Sequence, residues 1–216
     1  MCCNKANQAM TIKGQVFLVD DDPEVRMSLS DLLIHLGYGV SDFGSAESFL
    51  QQAIRCSPAV LILDMRMPNM TGLDLQKELI EQVWSIPIIY MSGDSQSQEI
   101  IDAMKLGAVD FLWKPITHTQ LIQVVDKGLK LDAQLHTNQL RLKRVTALYQ
   151  SLSAKEQEIL SLMILGHGNK AIGLEKNLMA DTVKKHRAHI MVKMEVDSLA
   201  ELLSLCKDFI PHYGKD

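Results

Sequence analysis

Several polar residues stand at the ends of short apolar runs. Asp20 and Asp21 follow residues 16–19 (VFLV), Asp64 follows residues 59–63 (AVLIL), Ser92 follows residues 86–91 (IPIIYM), and Lys114 comes shortly after residues 109–112. Three carboxylates gathered in one place repel one another, and the cost is tolerable only with a divalent cation or a paired lysine among them. Ligands that are all oxygen favour magnesium. A hydroxyl and an ammonium aimed at the same point equip such a place to hold a phosphoryl group on Asp64. Magnesium and Lys114 would neutralise its charge, and Ser92 would bond one of its oxygens. Taken singly the features are ordinary: Asp20-Asp21-Asp22 also reads as a helix-capping turn, and Lys114-Pro115 as a turn with a cis bond. Their joint placement at run ends is what points to an aspartyl-phosphate site.

That placement requires a particular framework. The apolar runs read as buried parallel strands, and two more, residues 40–43 and 109–112, bring the number to five. Amphipathic stretches of helical length lie between them at residues 23–36, 45–54, 72–83 and 97–106. Alternating strand and helix implies right-handed βαβ crossovers, and in such sheets function gathers at the carboxyl ends of the strands.

Composition agrees with two ordinary globular domains. The chain has 216 residues, 47% hydrophobic and 22% charged, with 12 Gly and 6 Pro, which excludes disordered and collagen-like classes. No apolar run is long enough to span a bilayer, and the opening residues lack a secretory apolar stretch, so the expected location is the cytoplasm and no membrane partner is expected. Cys2, Cys3, Cys56 and Cys206 fit neither a disulfide framework nor a zinc site and read as free thiols. Net charge is uneven: residues 1–120 carry 8 basic and 15 acidic residues, 121–150 carry 5 and 2, and 151–216 carry 9 and 9. The acidic first part suits cation or phosphate chemistry. In the neutral last part, nucleic-acid binding depends on local clustering.

One such cluster exists. Residues 182–194 hold Lys184, Lys185, Arg187, Lys193, His186 and His189 and no acid. They read either as a phosphate-contacting helix or as a solvated helix face. His186 has no partner at metal-ligand spacing and reads as packed or phosphate-bonded. From Leu152 onward the pattern is helical, opened by a capping box of Ser153 and Glu156. Between the two parts, Val124, Leu131, Leu135, Leu142, Val145 and Tyr149 fall on three- and four-residue steps, with Gly128 and Asn138 at the remaining positions of the series. This is either a last helix running on as a solvated connector or a short coiled coil with a second chain.

The motifs LVDDDP, LILDMRMPNMTGLDL, YMSGD and GAVDFLWKP resemble the receiver domain of bacterial two-component response regulators. The resemblance implies that Asp64 accepts a phosphoryl group from a histidine kinase, and that Asp21, Asp64 and the backbone carbonyl of Arg66 bind magnesium, with Asp20 acting mainly through metal-bound water. It implies that Lys114 holds a phosphoryl oxygen, placed by a cis bond to Pro115. Ser92 and Phe111 become a switch pair that reshapes the face built from the fourth helix, fifth strand and fifth helix; the other reading of Phe111 is a plain core residue. Arg66 and Asp94 stand where side chains influence the hydrolytic water.

LSAKEQEILSLMILGHGNKAIGLEKNLMADTVKKHRAHIMVKM resembles the LuxR-type helix-turn-helix domain, and the pairing is similar to the FixJ branch of the NarL/FixJ regulators. This implies a recognition helix opening near Ala180, with Lys184, Lys185 and Ala188 facing bases. Asn169, Lys170, Thr182 and Arg187 would contact phosphates or fix orientation, and Val183, Ile190 and Met194 would be buried. The chain departs from this pattern at Met179, where a capping Ser or Thr is usual, at Lys176, usually Leu, and at Gly173, usually Ala. Loss of the cap and the glycine each cost up to about 1 kcal/mol.

The expected architecture is therefore an α/β, five-stranded parallel doubly wound (flavodoxin-like) receiver at residues 14–130, after a flexible tail at 1–13. A helical linker at 131–150 and an all-α four-helix helix-turn-helix domain at 151–216 complete it. The expected function is phosphorylation-controlled transcription: phosphorylation promotes a homodimer that binds double-stranded promoter DNA. It is not an enzyme beyond self-phosphorylation and autodephosphorylation at Asp64. Two rivals are an output domain that binds protein instead of DNA, and a magnesium-dependent phosphohydrolase. The latter needs an acid two residues past its nucleophile, where this chain has Arg66.

Overall fold

The computed structural model describes residues 12–94 and 96–207, so most of the expected N-terminal tail, with Cys2 and Cys3, lies outside the described residues. The chain divides into two compact units, residues 1–136 and 137–216.

In the first unit strand and helix alternate. The elements are β1 (Gln15–Val19), α1 (Pro23–His35), β2 (Gly39–Phe43), α2 (Ala46–Gln52), β3 (Ala59–Asp64), α3 (Gly72–Glu81), β4 (Ile88–Ser92), α4 (Ser97–Lys105) and β5 (Asp110–Trp113), followed by the start of α5 (His118–Gln150). The strands form one sheet in the order β2-β1-β3-β4-β5, every neighbouring pair parallel. The expected fold class is the observed one. The fourth strand begins two residues later than the apolar run, because Pro87 has no N–H to donate and contributes only its carbonyl, which accepts from the Leu61 N–H.

Strand alternation sorts the core into two layers. Phe17, Val19, Leu61, Leu63 and Tyr90 pack on one face with Phe49 of α2, Leu75 and Leu79 of α3 and Ala103 of α4. Val16, Leu18, Val60, Ile62 and Ile89 pack on the other with Leu33 of α1 and Leu121, Val125 and Leu129 of α5. A sheet covered on both faces explains why its strands are nearly uninterrupted apolar runs. Helix starts are fixed locally: Asp22 accepts the Glu24 and Val25 N–H groups, and Ser45 and Thr71 close capping boxes. Polar contacts fasten α5 to the sheet as well. The Tyr38 hydroxyl donates to Asp126 at 2.6 Å, and the Ala59 N–H donates to the buried Asp132 at 2.9 Å.

The three- and four-residue series along α5 serves each core in turn. Val124 is buried against the sheet, and Gly128 lets the helix approach β3, since a Cβ there would lie 2.6 Å from Val60 Cγ2. Leu131 and Leu135 line a groove with Leu79, Trp84 and Leu106. Val145 is buried, and Leu148 and Tyr149 pack into the core of the second unit. The division between units thus falls inside this continuous helix, and the segment read as a linker contributes to the second core.

The second unit adds α6 (Ala154–Ile164), α7 (Asn169–Lys176), α8 (Ala180–Lys193) and α9 (Leu199–Cys206). Ile159, Leu160, Met163, Ile172, Val183, Ile190, Met194 and Leu202 form its core. The Ser153–Glu156 capping box is present, and the Glu156 carboxylate also accepts from Lys193 Nζ at 2.6 Å. That lysine and the Ser153 N–H hold the Glu156 carboxyl down at about 2, joining the start of α6 to the end of α8. Cys56 and Cys206 are free, the first exposed and the second buried. Among the described residues no helix is long and apolar enough to cross a membrane.

Candidate phosphoryl pocket and nucleic-acid interface

The register brings the chemistry together. Val19 pairs with Leu63, Asp64 with Met91 and Ser92 with Trp113, so the residues after β1, β3, β4 and β5 share one sheet edge. β1 and β3 lie side by side where the strand order reverses, which is where open parallel sheets form a crevice.

Lys114 organises the site. Its Nζ donates to Asp20 Oδ2 and to Asp64 Oδ1, each at 2.6 Å. Each carboxylate spends its other oxygen on the backbone: Asp20 Oδ1 accepts the Asp22 N–H at 2.9 Å, and Asp64 Oδ2 accepts the Arg66 N–H at 2.8 Å. Arg26 steadies the Asp20 end by donating to its backbone carbonyl at 2.7 Å. Burial pushes the Asp64 carboxyl above its usual range; Lys114 and the Arg66 N–H work against this, and the Asp20 charge adds to it. For Lys114, burial works against the charged form, but bonding to both carboxylates outweighs it and raises the ammonium above its usual range.

Ser92 is buried, and its Oγ accepts the Asp94 N–H at 3.3 Å. Phe111 is partly buried against the α2–α4 side of the core, with its ring edge-on to exposed Trp113 at 5.0 Å between centroids. Lys114-Pro115 is a cis peptide. Asp21 lies exposed at the same edge. Among the described residues no three His, Cys, Asp or Glu side chains converge as metal ligands. The donor set still fits magnesium, which needs one or two carboxylates, tolerates a carbonyl such as that of Arg66, and retains water on its remaining positions.

The Arg66 side chain turns away from this cluster. Its guanidinium lies 3.6 Å from Asp94 Oδ2 and 3.3 Å from Glu99 Oε2 in the first turn of α4. Glu99 escapes sequence reading because it lies outside every strand-end motif. Only the packing of α4 brings it to the site's rim.

In the second unit, Lys184, Lys185 and Ala188 are exposed on one side of α8 while Val183, Ile190 and Met194 are buried on the other. Lys170 is exposed, and Asn169 and Thr182 are partly exposed. Arg187 donates to the His167 backbone carbonyl at 3.3 Å, which ties α8 to the turn before α7. This arrangement can present two ammonium groups to a groove edge with phosphate contacts around them.

The three departures from the helix-turn-helix pattern each have a physical form. Met179 gives α8 no side-chain cap. Lys176 compensates for the missing leucine by reaching Glu158 of α6 at 3.2 Å. Gly173 is more than a weak helix former, because a Cβ there would lie 2.6 Å from the Leu178 backbone carbonyl. Gly173→Ala is therefore expected to destabilise the second unit by about 1–3 kcal/mol, overriding the gain in helix propensity of up to about 1 kcal/mol. Hydrogen exchange of the α7 and α8 amides reads this directly; unchanged or greater protection would show that the turn yields.

Residues 16–126 match the family described as "Response regulator receiver domain", and residues 150–206 match "Bacterial regulatory proteins, luxR family". The response regulator protein TodT of Pseudomonas putida is 40% identical over 188 residues, covering 87% of this chain and 83% of its own length. The transcriptional regulatory protein FixJ of Bradyrhizobium diazoefficiens is 34% identical over 196 residues, covering 91% and 96%. Among solved structures, the response regulator StyR superposes with a TM-score of 0.81 at 37% identity, covering 90% of this chain and 98% of its own. Full-length FixJ from B. japonicum does so with a TM-score of 0.58 at 34% identity, covering 91% and 97%.

Proposed function

Since the chain belongs to the response regulators, with a receiver domain followed by a LuxR-type DNA-binding domain, we propose that Asp64 is the phosphoacceptor through which a histidine kinase controls its hold on promoter DNA. The observation that carries this is the single ammonium of Lys114 shared at 2.6 Å by the carboxylates of Asp20 and Asp64.

An Asp64 oxygen attacks the phosphorus of a phosphohistidine whose other ring nitrogen carries a proton; the new O–P bond forms as the P–N bond breaks, and the ring leaves as neutral imidazole. Lys114 is already in place to take one phosphoryl oxygen, and the Ser92 hydroxyl lies on the next strand to donate to another. Asp21, Asp64 and the Arg66 carbonyl would hold magnesium, with Asp20 beside them, and the ion would supply charge neutralisation at the phosphoryl oxygens. The chemistry is confined to phosphoryl uptake and hydrolysis at Asp64, in the cytoplasm where kinase and chromosome are both accessible.

Movement of Ser92 toward the phosphoryl group leaves room for Phe111 to follow, which alters the neighbouring β5 and α4. Ile101 and Met104 of α4 and Trp113 of β5 are exposed apolar side chains on these elements, at 46%, 45% and 54%. Pairing two copies over this face buries them and brings two α8 helices to a two-fold DNA site, with Lys184 and Lys185 reading base edges.

Light scattering with magnesium, before and after beryllofluoride, tests the switch, and titration of duplex DNA across salt concentrations tests the output. The expected result is a monomer-to-dimer shift with tighter binding. For Lys184→Ala/Lys185→Ala the preference for the specific site over random duplex should fall by about 1–3 kcal/mol per lysine, with the salt dependence largely kept. A chain that stays monomeric overturns the switch, and binding insensitive to both lysines overturns the assignment of α8.

A further inference from the structure

Arg66 projects from the loop after the phosphoacceptor strand and ends on two acids of the neighbouring loop and helix. They are not equivalent anchors. The Asp94 side chain is 95% exposed and 3.6 Å away, so water screens it. Glu99 is 33% exposed and 3.3 Å away, and its Oε2 also accepts the Gln96 N–H at 2.9 Å within the capping box of α4. That backbone bond, then Arg66, hold the Glu99 carboxyl below its usual range. Glu99 is thus a charged group already oriented by the helix start, and it draws the guanidinium toward α4.

The same arginine is bound to the pocket through its backbone, since its N–H donates to Asp64 Oδ2 at 2.8 Å. A phosphoryl group on Asp64 introduces new negative charge near the base of the Arg66 side chain. The guanidinium then has two competing partners, a helix carboxylate and phosphoryl oxygens, and a guanidinium fork suits either.

We infer that Glu99 is a positioning residue for the phosphorylated state: by holding Arg66 on α4, it keeps the guanidinium off the aspartyl phosphate, leaves the line of water attack open and so shortens the life of the signal. This rests on Asp64 as phosphoacceptor. With the Glu99 charge removed, Arg66 turns to the phosphoryl oxygens and shields the phosphorus. Water then reaches it less often, and the O–P bond to Asp64 is cut more slowly.

The test uses the full chain loaded with acetyl phosphate and magnesium, freed of donor, with the phosphorylated fraction followed by phosphate-retarding electrophoresis. Glu99→Gln removes the charge but retains an acceptor for the Gln96 N–H, so the capping box survives. Its phosphoryl half-life is expected to lengthen about threefold, the size of effect that the coupling of one partly exposed ion pair can give. In an Arg66→Ala background the same change should leave the half-life where Arg66→Ala alone puts it. An unchanged or shorter half-life in Glu99→Gln overturns the inference, as does an equal lengthening with and without Arg66, which would trace the effect to α4 itself. Wild type that takes no phosphoryl group, or an Asp64→Asn chain labelled as well as wild type, overturns the phosphoacceptor reading. Normal wild-type labelling with an unaltered Glu99→Gln decay overturns the role of Glu99 alone.

Discussion

Asp64→Asn is expected to take up no phosphoryl group from kinase or acetyl phosphate and to remain monomeric under conditions that dimerise the wild type. The amide keeps an oxygen for Lys114 or the Arg66 N–H, but it has no carboxylate lone pair able to form an acyl phosphate. The amide can satisfy only one of these two donors, while it removes the cost of burying a charge, so a modest loss of stability, up to about 1–2 kcal/mol, is expected. Function and fold are thereby separated: gel retardation and sizing report the first, and urea unfolding followed through Trp84 reports the second. Labelling that persists would move the acceptor to Asp20 or Asp21 and dismantle the chemistry proposed for the pocket.

Lys114→Met should have the largest effect on the stability of the first unit. Asp20 and Asp64 are 1% and 8% exposed at their side chains, and this lysine is the ammonium bonded to both. Removing one partner of a buried ion pair costs several kcal/mol; with Lys114 itself a quarter exposed, a loss of about 2–3 kcal/mol at pH 7 is expected. The pH dependence has a definite sign. Without the ammonium, only the Arg66 N–H offsets the burial and the neighbouring Asp20 charge that raise the folded Asp64 carboxyl above its unfolded value. The corresponding stability is fully present below the unfolded value near 4 and is lost as pH rises through the folded one. The deficit relative to wild type should therefore be deepest at neutral pH and shrink toward pH 4. A deficit of the same size at both would mean that the lost methylene packing, not the charge, was responsible.

Most of the pocket is legible in the sequence because pattern and position together determine it. Short apolar runs separated by amphipathic helices can form only a few parallel topologies, and each leaves Asp20, Asp64, Ser92 and Lys114 at strand ends. The buried face of α8 is legible for the same reason, as Val183, Ile190 and Met194 follow helical spacing. What escapes is whatever depends on a partner far away in sequence. Arg187 bonds to the His167 carbonyl and Lys176 to Glu158, pairings that nothing in the motif's residue types announces. Helix propensity alone makes Gly173 a simple defect, whereas its meaning lies in the distance to the Leu178 carbonyl. The series along α5 looks like one seam because helical spacing is blind to what the helix packs on; it is divided between the cores of the two units.

The bonds of Lys114 reach across 94 residues to Asp20 and 50 to Asp64. No contiguous fragment lacking either the first or the fifth strand can assemble this set of groups, and contacts so distant in sequence carry a large loop-closure cost. During synthesis, a nascent chain therefore lacks the complete pocket until Lys114 has cleared the ribosome and the sheet has closed around it. A copy truncated before Lys114, or one whose sheet has not closed, lacks the constellation as well. Competence to receive a signal thus depends on the chain having been made and folded through its fifth strand, and copies that stop short of it are excluded from the pathway without any separate inspection.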